Sequence, residues 1–97
     1  MTSFVAERKL LYSKKDSEAR FEFAVRIGMP YIVDDGIGES ASCCRIYFEG
    51  LDEQARTIFG MDSLQAVNLA SDVEHLLEWL HKKYDIFWLT GEPYFDE

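Results

Sequence analysis

The feature that most constrains this 97-residue sequence is one long apolar stripe in its C-terminal half. The stripe has the three- and four-residue spacing of one face of an α-helix. Its members are Ala66, Leu69, Ala70, Val73, Leu76, Leu77, Leu80 and Tyr84. The pattern predicts one long helix over about residues 63–83. A helix with a single apolar face must bury it against another layer, so the rest of the chain has to supply an apolar surface.

The start of this helix carries clear capping signals. Asp62 is a favourable N-cap residue, and Gln65 three positions later completes a capping box. Met61 is placed to pack on Ala66 as a hydrophobic staple. The sequence therefore predicts that the helix begins directly after Asp62.

The N-terminal half reads as a β-hairpin. Apolar and other residues alternate over residues 21–29, which is the period of a half-buried strand, and residues 4–12 are predicted to form its partner strand. Pro30 ends the pairing because it has no N–H group to donate.

Further strands are predicted at residues 43–51, 54–59 and 86–90, and the acidic, glycine-containing stretch 31–42 is predicted to be a loop. The expected fold is α+β. It is a two-layer sandwich in which a four- to five-stranded, mostly antiparallel sheet carries the helix on one face. Residues 1–97 form a single domain that ends in an acidic, aromatic tail at residues 92–97.

Charge is distributed unevenly along the chain. The net charge is −8 and the isoelectric point is about 4.6. Residues 1–30 hold six basic and four acidic residues, whereas residues 31–97 hold four basic and fourteen acidic ones. This balance argues against nucleic acid as a partner and favours a basic protein partner, although acidity also serves solubility alone.

The absence of a targeting signal and the use of cysteine predict a reduced, cytoplasmic protein without a membrane span. No apolar run approaches the ~18 residues that a spanning helix needs, and the N-terminus lacks a secretory apolar segment. Cys43 and Cys44 are adjacent and cannot form a disulfide framework. Neighbours on a strand face opposite sides, so Cys44 is expected in the core and Cys43 partly exposed.

No motif specifies an enzyme, a metal site or a cofactor. His75 and His81 are six residues apart, which points their rings in different directions on a helix. The run Asp34-Asp35-Gly36 lacks the alternate ligands and the twelfth-position glutamate of a calcium loop. We therefore expect no catalytic residues and no cofactor.

The residues expected to meet a partner are acidic loop residues and aromatics near acids. Tyr94 and Phe95 either anchor in a basic cleft or fold back onto the sheet edge, and Trp79 is either core flank or partner site. The full set is Asp34, Asp35, Glu39, Glu49, Asp52, Glu53, Trp79, Glu92, Tyr94, Phe95, Asp96 and Glu97.

One run of residues resembles a known family. The heptad Gly60-Met61-Asp62-Ser63-Leu64-Gln65-Ala66 is similar to the G-x-D-S-L-Q-A helix start of a family of small uncharacterised bacterial proteins, and Ile27-Gly28-Met29-Pro30 matches its earlier I-G-x-P run. The resemblance would cover residues 5–91 and implies a bacterial, cytoplasmic setting. It carries no catalytic residues.

Two functional hypotheses follow. By analogy with other small acidic α+β proteins, the first is an immunity protein that inhibits a basic bacterial toxin, such as a nuclease, by protein–protein interaction. The alternative is a structural or regulatory module without a toxin partner, as a homodimer through an exposed sheet edge.

Overall fold

The computed structural model describes residues 4–34 and 40–95. They form an open antiparallel sheet with one bent helix packed on one face, which is the predicted α+β architecture. The elements in chain order are β1 (Phe4–Lys14), β2 (Phe21–Gly28), β3 (Tyr31–Asp34), β4 (Ser40–Glu49), β5 (Arg56–Gly60), α1 (Ser63–Ser71), α2 (Glu74–His81) and β6 (Tyr84–Phe87).

Strand β4 organises one half of the sheet. One of its edges pairs with β5, and its other edge pairs with both β2 and β3. The register shifts by one residue between the pairs Ile27↔Ile46 and Tyr31↔Cys43, so β2 and β3 are two segments of one run, interrupted at Met29 and Pro30. Pro30 interrupts the ladder as predicted, but pairing resumes after it. The prediction of a loop throughout residues 31–42 is therefore wrong.

The other half of the sheet contains β1 and β6. Strand β1 pairs with β2 along most of its length, and β6 pairs only with residues 11–14 of β1. The predicted last strand, 86–90, is misplaced by two to three residues. The chain turns after β6, where the Gly91 N–H donates to the Trp88 carbonyl at 2.8 Å.

The hydrophobic core lies between the helix and one sheet face. Strands contribute Leu10, Phe23, Val25, Ile27, Cys44, Ile46 and Ile86, and the helix contributes Ala66, Ala70, Val73, Leu77 and Leu80. Three members of the predicted stripe differ from expectation. Leu69 is 48% exposed, and Leu76 is only half-buried against the core. Tyr84 lies in β6, beyond the end of the helix.

The predicted single helix is bent rather than continuous. Asp72 leaves the helical region with ψ of 73°, and Val73 starts α2. The Val73 N–H donates to the Ser71 carbonyl at 2.9 Å instead of to a residue four positions back. On the two sides of the bend, α1 packs on β4 and β5, and α2 packs beside β6. The helix ends at His81, and no helix of the described residues is long and apolar enough to cross a membrane.

The helix start confirms the N-cap half of the capping box, whereas the Gln65 side chain bonds to the N–H of Met61 rather than to that of Asp62, and the staple is contradicted. The Asp62 carboxylate accepts from the Gln65 N–H at 2.8 Å, and the Gln65 side chain accepts from the Met61 N–H at 2.6 Å. The Met61 side chain is 88% exposed and does not pack on Ala66. A Cβ on Gly60 would lie 2.5 Å from the Ala66 nitrogen, so glycine permits the contact between β5 and α1.

Both cysteines are buried, which contradicts the prediction that Cys43 is partly exposed. The two side chains do face opposite sides of the sheet. In register, Cys43 lies between Tyr31 and Phe59 on the face without the helix, and these two large neighbours cover it. The Cys44 thiol donates to the Gly28 carbonyl at 3.1 Å, and burial raises the pKa of this thiol.

Candidate protein-binding cleft beside Trp79

A cleft lies between the β4–β5 turn and helix α2. Its volume is about 310 Å³, and its lining residues are Glu53, Gln54, Ala55, Arg56 and Trp79. We call it the Trp79 cleft. It combines residues that are 26 positions apart in the sequence.

Local rules explain how the turn forms one wall. Gly50 has φ of +84°, and a Cβ there would lie 2.8 Å from the Glu22 carbonyl oxygen, so this position requires glycine. Leu51 is buried in the core and anchors the turn. The Glu53 N–H donates to the Leu51 carbonyl at 2.8 Å, which fixes Glu53 beside the helix.

Trp79 forms the opposite wall, and two cationic side chains of this protein lie against its ring. Its side chain is 37% exposed. The Arg56 guanidinium carbon lies 4.6 Å from the centroid of its ring, and the Lys83 ammonium lies 4.4 Å from it. Both distances are within the range of cation–π attraction. The indole therefore lies in a position that attracts basic groups.

The charges around the cleft also favour the binding of a basic group. Glu53 Oε1 lies 3.2 Å from Lys83 Nζ, and the Glu53 side chain is far less exposed than that of Lys83. Burial, with the Glu53 charge as the next cause, raises the pKa of Tyr84. A carboxylate beside an aromatic face is a combination that binds ammonium and guanidinium groups.

The tail aromatics lie on the other side of α2 and fold back. The Tyr94 N–H donates to the Ile86 carbonyl at 2.9 Å. The Tyr94 hydroxyl accepts from Arg8 Nη1 at 2.6 Å and donates to Glu74 Oε1 at 2.6 Å. Burial, together with the hydrogen bond to Glu74, raises the pKa of Tyr94 to about 12.

Phe95 completes this tail contact. Its ring centroid lies 4.7 Å from that of His81 and 5.0 Å from that of Tyr94. Both tail aromatics are half-buried against the core. Of the two interpretations of the tail, the structure shows the one in which it folds back.

Of the remaining predicted partner residues that the structure describes, Asp52 borders the cleft, whereas Glu49 and Glu92 do not. Asp52 is exposed next to Glu53, whereas Glu49 lies on the opposite face of the sheet, 3.9 Å from Arg26. Glu92 is exposed beyond β6, and its carbonyl accepts from the Trp88 N–H.

The side chains of five predicted acids lie outside what the structure describes. Only the backbone of Asp34 is described, within β3. Asp35, Glu39, Asp96 and Glu97 lie outside the described residues.

The residues that could ligate a metal are dispersed. His75 is exposed, with Nε2 3.8 Å from the Asp72 carboxylate. Within residues 4–34 and 40–95, no group of three or more His, Cys, Asp or Glu side chains is placed to hold a metal ion.

Sequence reasoning missed both cations of the cleft. Lys83 is four residues after Trp79, a spacing that places them on one face of a helix, so this contact had a visible signal. The contact of Arg56 with the Trp79 ring had no such signal, because it depends on how β5 packs near α2. A second cleft of about 210 Å³ at the helix bend was also missed, and it is lined by Ala6, Glu7, Arg8, Val25, Ile27, Ser71 and Val73.

Comparisons of the chain with protein-family models, with curated proteins and with solved structures gave no match.

Proposed function

We propose that this chain is a binding protein that captures a basic side chain of a partner protein in the Trp79 cleft, and that it acts as an immunity protein for a basic bacterial toxin. The observation that carries the proposal is the pair of cations on the Trp79 ring, with Glu53 beside them. These contacts are internal examples of the interaction that the cleft would make with a partner.

The internal cations leave room for exchange. Arg56 is exposed, and the Lys83 side chain is half-exposed, so each can move into solvent at small cost. A partner arginine that stacked on Trp79 and bound Glu53 would form a charge-assisted pair in a partly desolvated site. Such aromatic and arginine contacts are typical of interface hot spots.

Net charge supports a basic partner. The chain carries −8, and Asp52 lies exposed next to the cleft. A toxin that acts on nucleic acid needs a positive cleft to bind phosphates, and an acidic protein can occupy that cleft. The potential of the acidic protein would raise the association rate at low salt.

The proposal is tested by identifying the partner and measuring protection. Affinity capture from the source cells with mass spectrometry gives the partner, which is then expressed in a bacterial host alone and together with this chain. We expect a basic protein that inhibits growth alone and is neutralised by co-expression. Purified, the two should associate more slowly as salt rises.

Matched variants assign the binding to the cleft. Glu53→Lys and Trp79→Ala should each reduce affinity at least tenfold, whereas Lys9→Glu, at an exposed position of β1 on the sheet face without the helix, should not weaken it. An acidic captured partner, a growth defect that co-expression leaves unchanged, or full affinity in both cleft variants would overturn the proposal.

A further inference from the structure

The outer edge of β1 is only partly covered by β6. Strand β6 pairs with residues 11–14 of β1, whereas β2 pairs with residues 4–12 along the opposite edge. Residues 4–10 therefore have no strand beside them on the β6 side, and within the described chain no backbone hydrogen bond from a turn or loop reaches them. At about 3.3 Å per residue, this unpaired stretch is about 23 Å long. We call it the β1 edge.

The turn after β6 and the helix bend explain why this edge is open. The Trp88 N–H donates to the Glu92 carbonyl at 2.9 Å, and Phe87 forms a bridge with Pro93, so the chain folds away from β1 after Phe87. On the helix side, α1 packs on β4 and β5, and α2 packs beside β6. The start of β1 therefore lies beside the bend rather than beneath either helix.

The cleft of about 210 Å³ at the helix bend opens beside the β1 edge, and we call it the bend cleft. Ala6 and Arg8 line it from alternate positions of β1, so their side chains share the helix face of the sheet. Glu7 also lines it, and because its carboxylate binds Arg26 on the other face, Glu7 does so through its main chain. The apolar floor consists of Val25, Ile27 and Val73.

The edge and the cleft together define what can bind. The unpaired N–H and C=O groups of a strand are satisfied together by another extended backbone. A strand commonly has about five to six residues, so the β1 edge is long enough for a whole one. The bend cleft is smaller than the about 300–1,000 Å³ of pockets that bind small molecules, but its apolar floor suits one aliphatic side chain. The site therefore fits a peptide strand better than a free ligand.

The charges beside the edge favour an uncharged strand. The ion pairs there are Glu7 with Arg26 at 3.0 Å and with Lys9 at 3.9 Å, Arg8 with Glu74 at 2.9 Å, and Arg26 with Glu49 at 3.9 Å. Asp72, at the bend, lies 3.8 Å from the His75 imidazole. Acidic and basic side chains thus alternate around the described part of this edge, and neither sign is concentrated on it.

A second copy of this chain fits the site less well. If two β1 edges paired about a two-fold axis, each would present Ala6 and Arg8 to the bend cleft of the other. Alanine is too small to fill the cleft, and Arg8 is held by Glu74 and by the Tyr94 hydroxyl. Two chains of net charge −8 also repel each other.

We infer that the β1 edge binds an extended, uncharged segment of a partner protein as an added strand, with one aliphatic side chain of that segment in the bend cleft. The added strand continues the line of β6 beyond Phe87. The inference does not rest on the proposed function, because the Trp79 cleft lies at the other end of α2.

Amide hydrogen exchange of the full chain, followed by NMR, tests whether the edge is open. In the free protein, fast and slow amides should alternate along residues 6–10, because every second N–H points away from β2. The amides of β1 that pair with β6 or β2 should all exchange slowly. Slow exchange at every position of residues 6–10, in a monomer or in a dimer of this chain, would overturn the inference, because the edge would already be covered.

A phage-displayed heptapeptide library, selected on the immobilised protein, tests the partner. We expect enrichment of uncharged sequences with aliphatic residues at alternate positions. A synthetic peptide of the enriched sequence should slow the fast amides of residues 6–10 at least tenfold. Failure to enrich such sequences, or a bound peptide that leaves these amides unchanged, would contradict the inference.

Matched variants locate the bound side chain. Ala6→Leu places an aliphatic side chain of the protein itself in the bend cleft and should weaken peptide binding at least tenfold. Ala55→Leu, the same change in the Trp79 cleft, is the control and should leave it unchanged, as should Glu53→Lys. Circular dichroism verifies that each variant is folded, and the exchange measurements need no variant. Full peptide affinity in Ala6→Leu, or loss of affinity only in the Trp79 cleft variants, would overturn the inference and leave the proposed function standing.

Discussion

The tail contact at Tyr94 can be tested through its pH dependence. The variant Tyr94→Phe keeps the ring but removes the hydroxyl that accepts from Arg8 and donates to Glu74. Each such hydrogen bond contributes about 0.5–1.5 kcal/mol, and both lie in a partly exposed site. The Arg8–Glu74 ion pair at 2.9 Å remains in the variant. We therefore expect Tyr94→Phe to lower the free energy of unfolding by about 1 kcal/mol at pH 8.

The advantage of tyrosine should disappear at alkaline pH. The pKa of Tyr94 is raised from 10.0 to about 12 in the folded protein. Below pH 10 the hydroxyl is protonated in both states, and its full contribution is present. Between pH 10 and 12 the unfolded chain releases the proton first, so stability falls as pH rises. By pH 11 the loss is about 1.4 kcal/mol, which solvent screening of the partly exposed ring reduces to about 0.7 kcal/mol.

Urea unfolding followed by circular dichroism, at several pH values from 8 to 11, measures both effects. The difference between wild type and Tyr94→Phe should shrink from about 1 kcal/mol towards zero over this range. Tyr84→Phe is the matched comparison, because the pKa of Tyr84 is also raised but its ring does not hold the tail. A difference that is absent at pH 8, or one that stays constant to pH 11, would refute the tail contact.

Three further predictions concern packing. Gly60→Ala should lower the free energy of unfolding in urea by about 1–3 kcal/mol, because the new Cβ would lie 2.5 Å from a backbone nitrogen of α1. Leu77→Ala should lower it by about 2–5 kcal/mol, whereas Leu69→Ala, at an exposed position, should change it by less than about 1 kcal/mol. The two native thiols should not react with DTNB until the chain unfolds, and Phe59→Ala should speed labelling of Cys43 in the folded protein.

The parts of the fold that sequence predicted are those fixed by local pattern. The alternation through Phe23, Val25 and Ile27 and the helical stripe through Ala70 and Leu77 both place buried residues correctly. Strand β3 was missed although Tyr31, Ile32 and Val33 are residue types that favour strands. The acidic, glycine-containing run that follows them led to a loop prediction from residue 31 onward, whereas pairing with β4 extends the strand as far as Asp34.

Burial on the sheet face without the helix was missed for a related reason. Alternation assigns Cys43 to the face without the helix, and a face without a helix was equated with exposure. Cross-strand neighbours can cover a small side chain by themselves. Tyr31 and Phe59 do so here, one from each adjacent strand. The exposure of Cys43 is decided by the size of its neighbours on the two adjacent strands, and the sequence of its own strand does not reveal that size.

The net charge of the chain predicted the sign of the partner's charge but did not locate the surface that would bind it. Glu49 and Glu53 are four residues apart in the sequence, yet Glu49 lies beside Arg26 on the sheet face without the helix and Glu53 lies beside Lys83 on the helix side. Only the second of these acids belongs to a cleft suited to a cation. A partner that binds through the Trp79 cleft should therefore associate more slowly as salt rises, because salt screens the attraction between its basic group and this acidic chain. An association rate that does not change with salt would contradict the assignment of binding to the cleft.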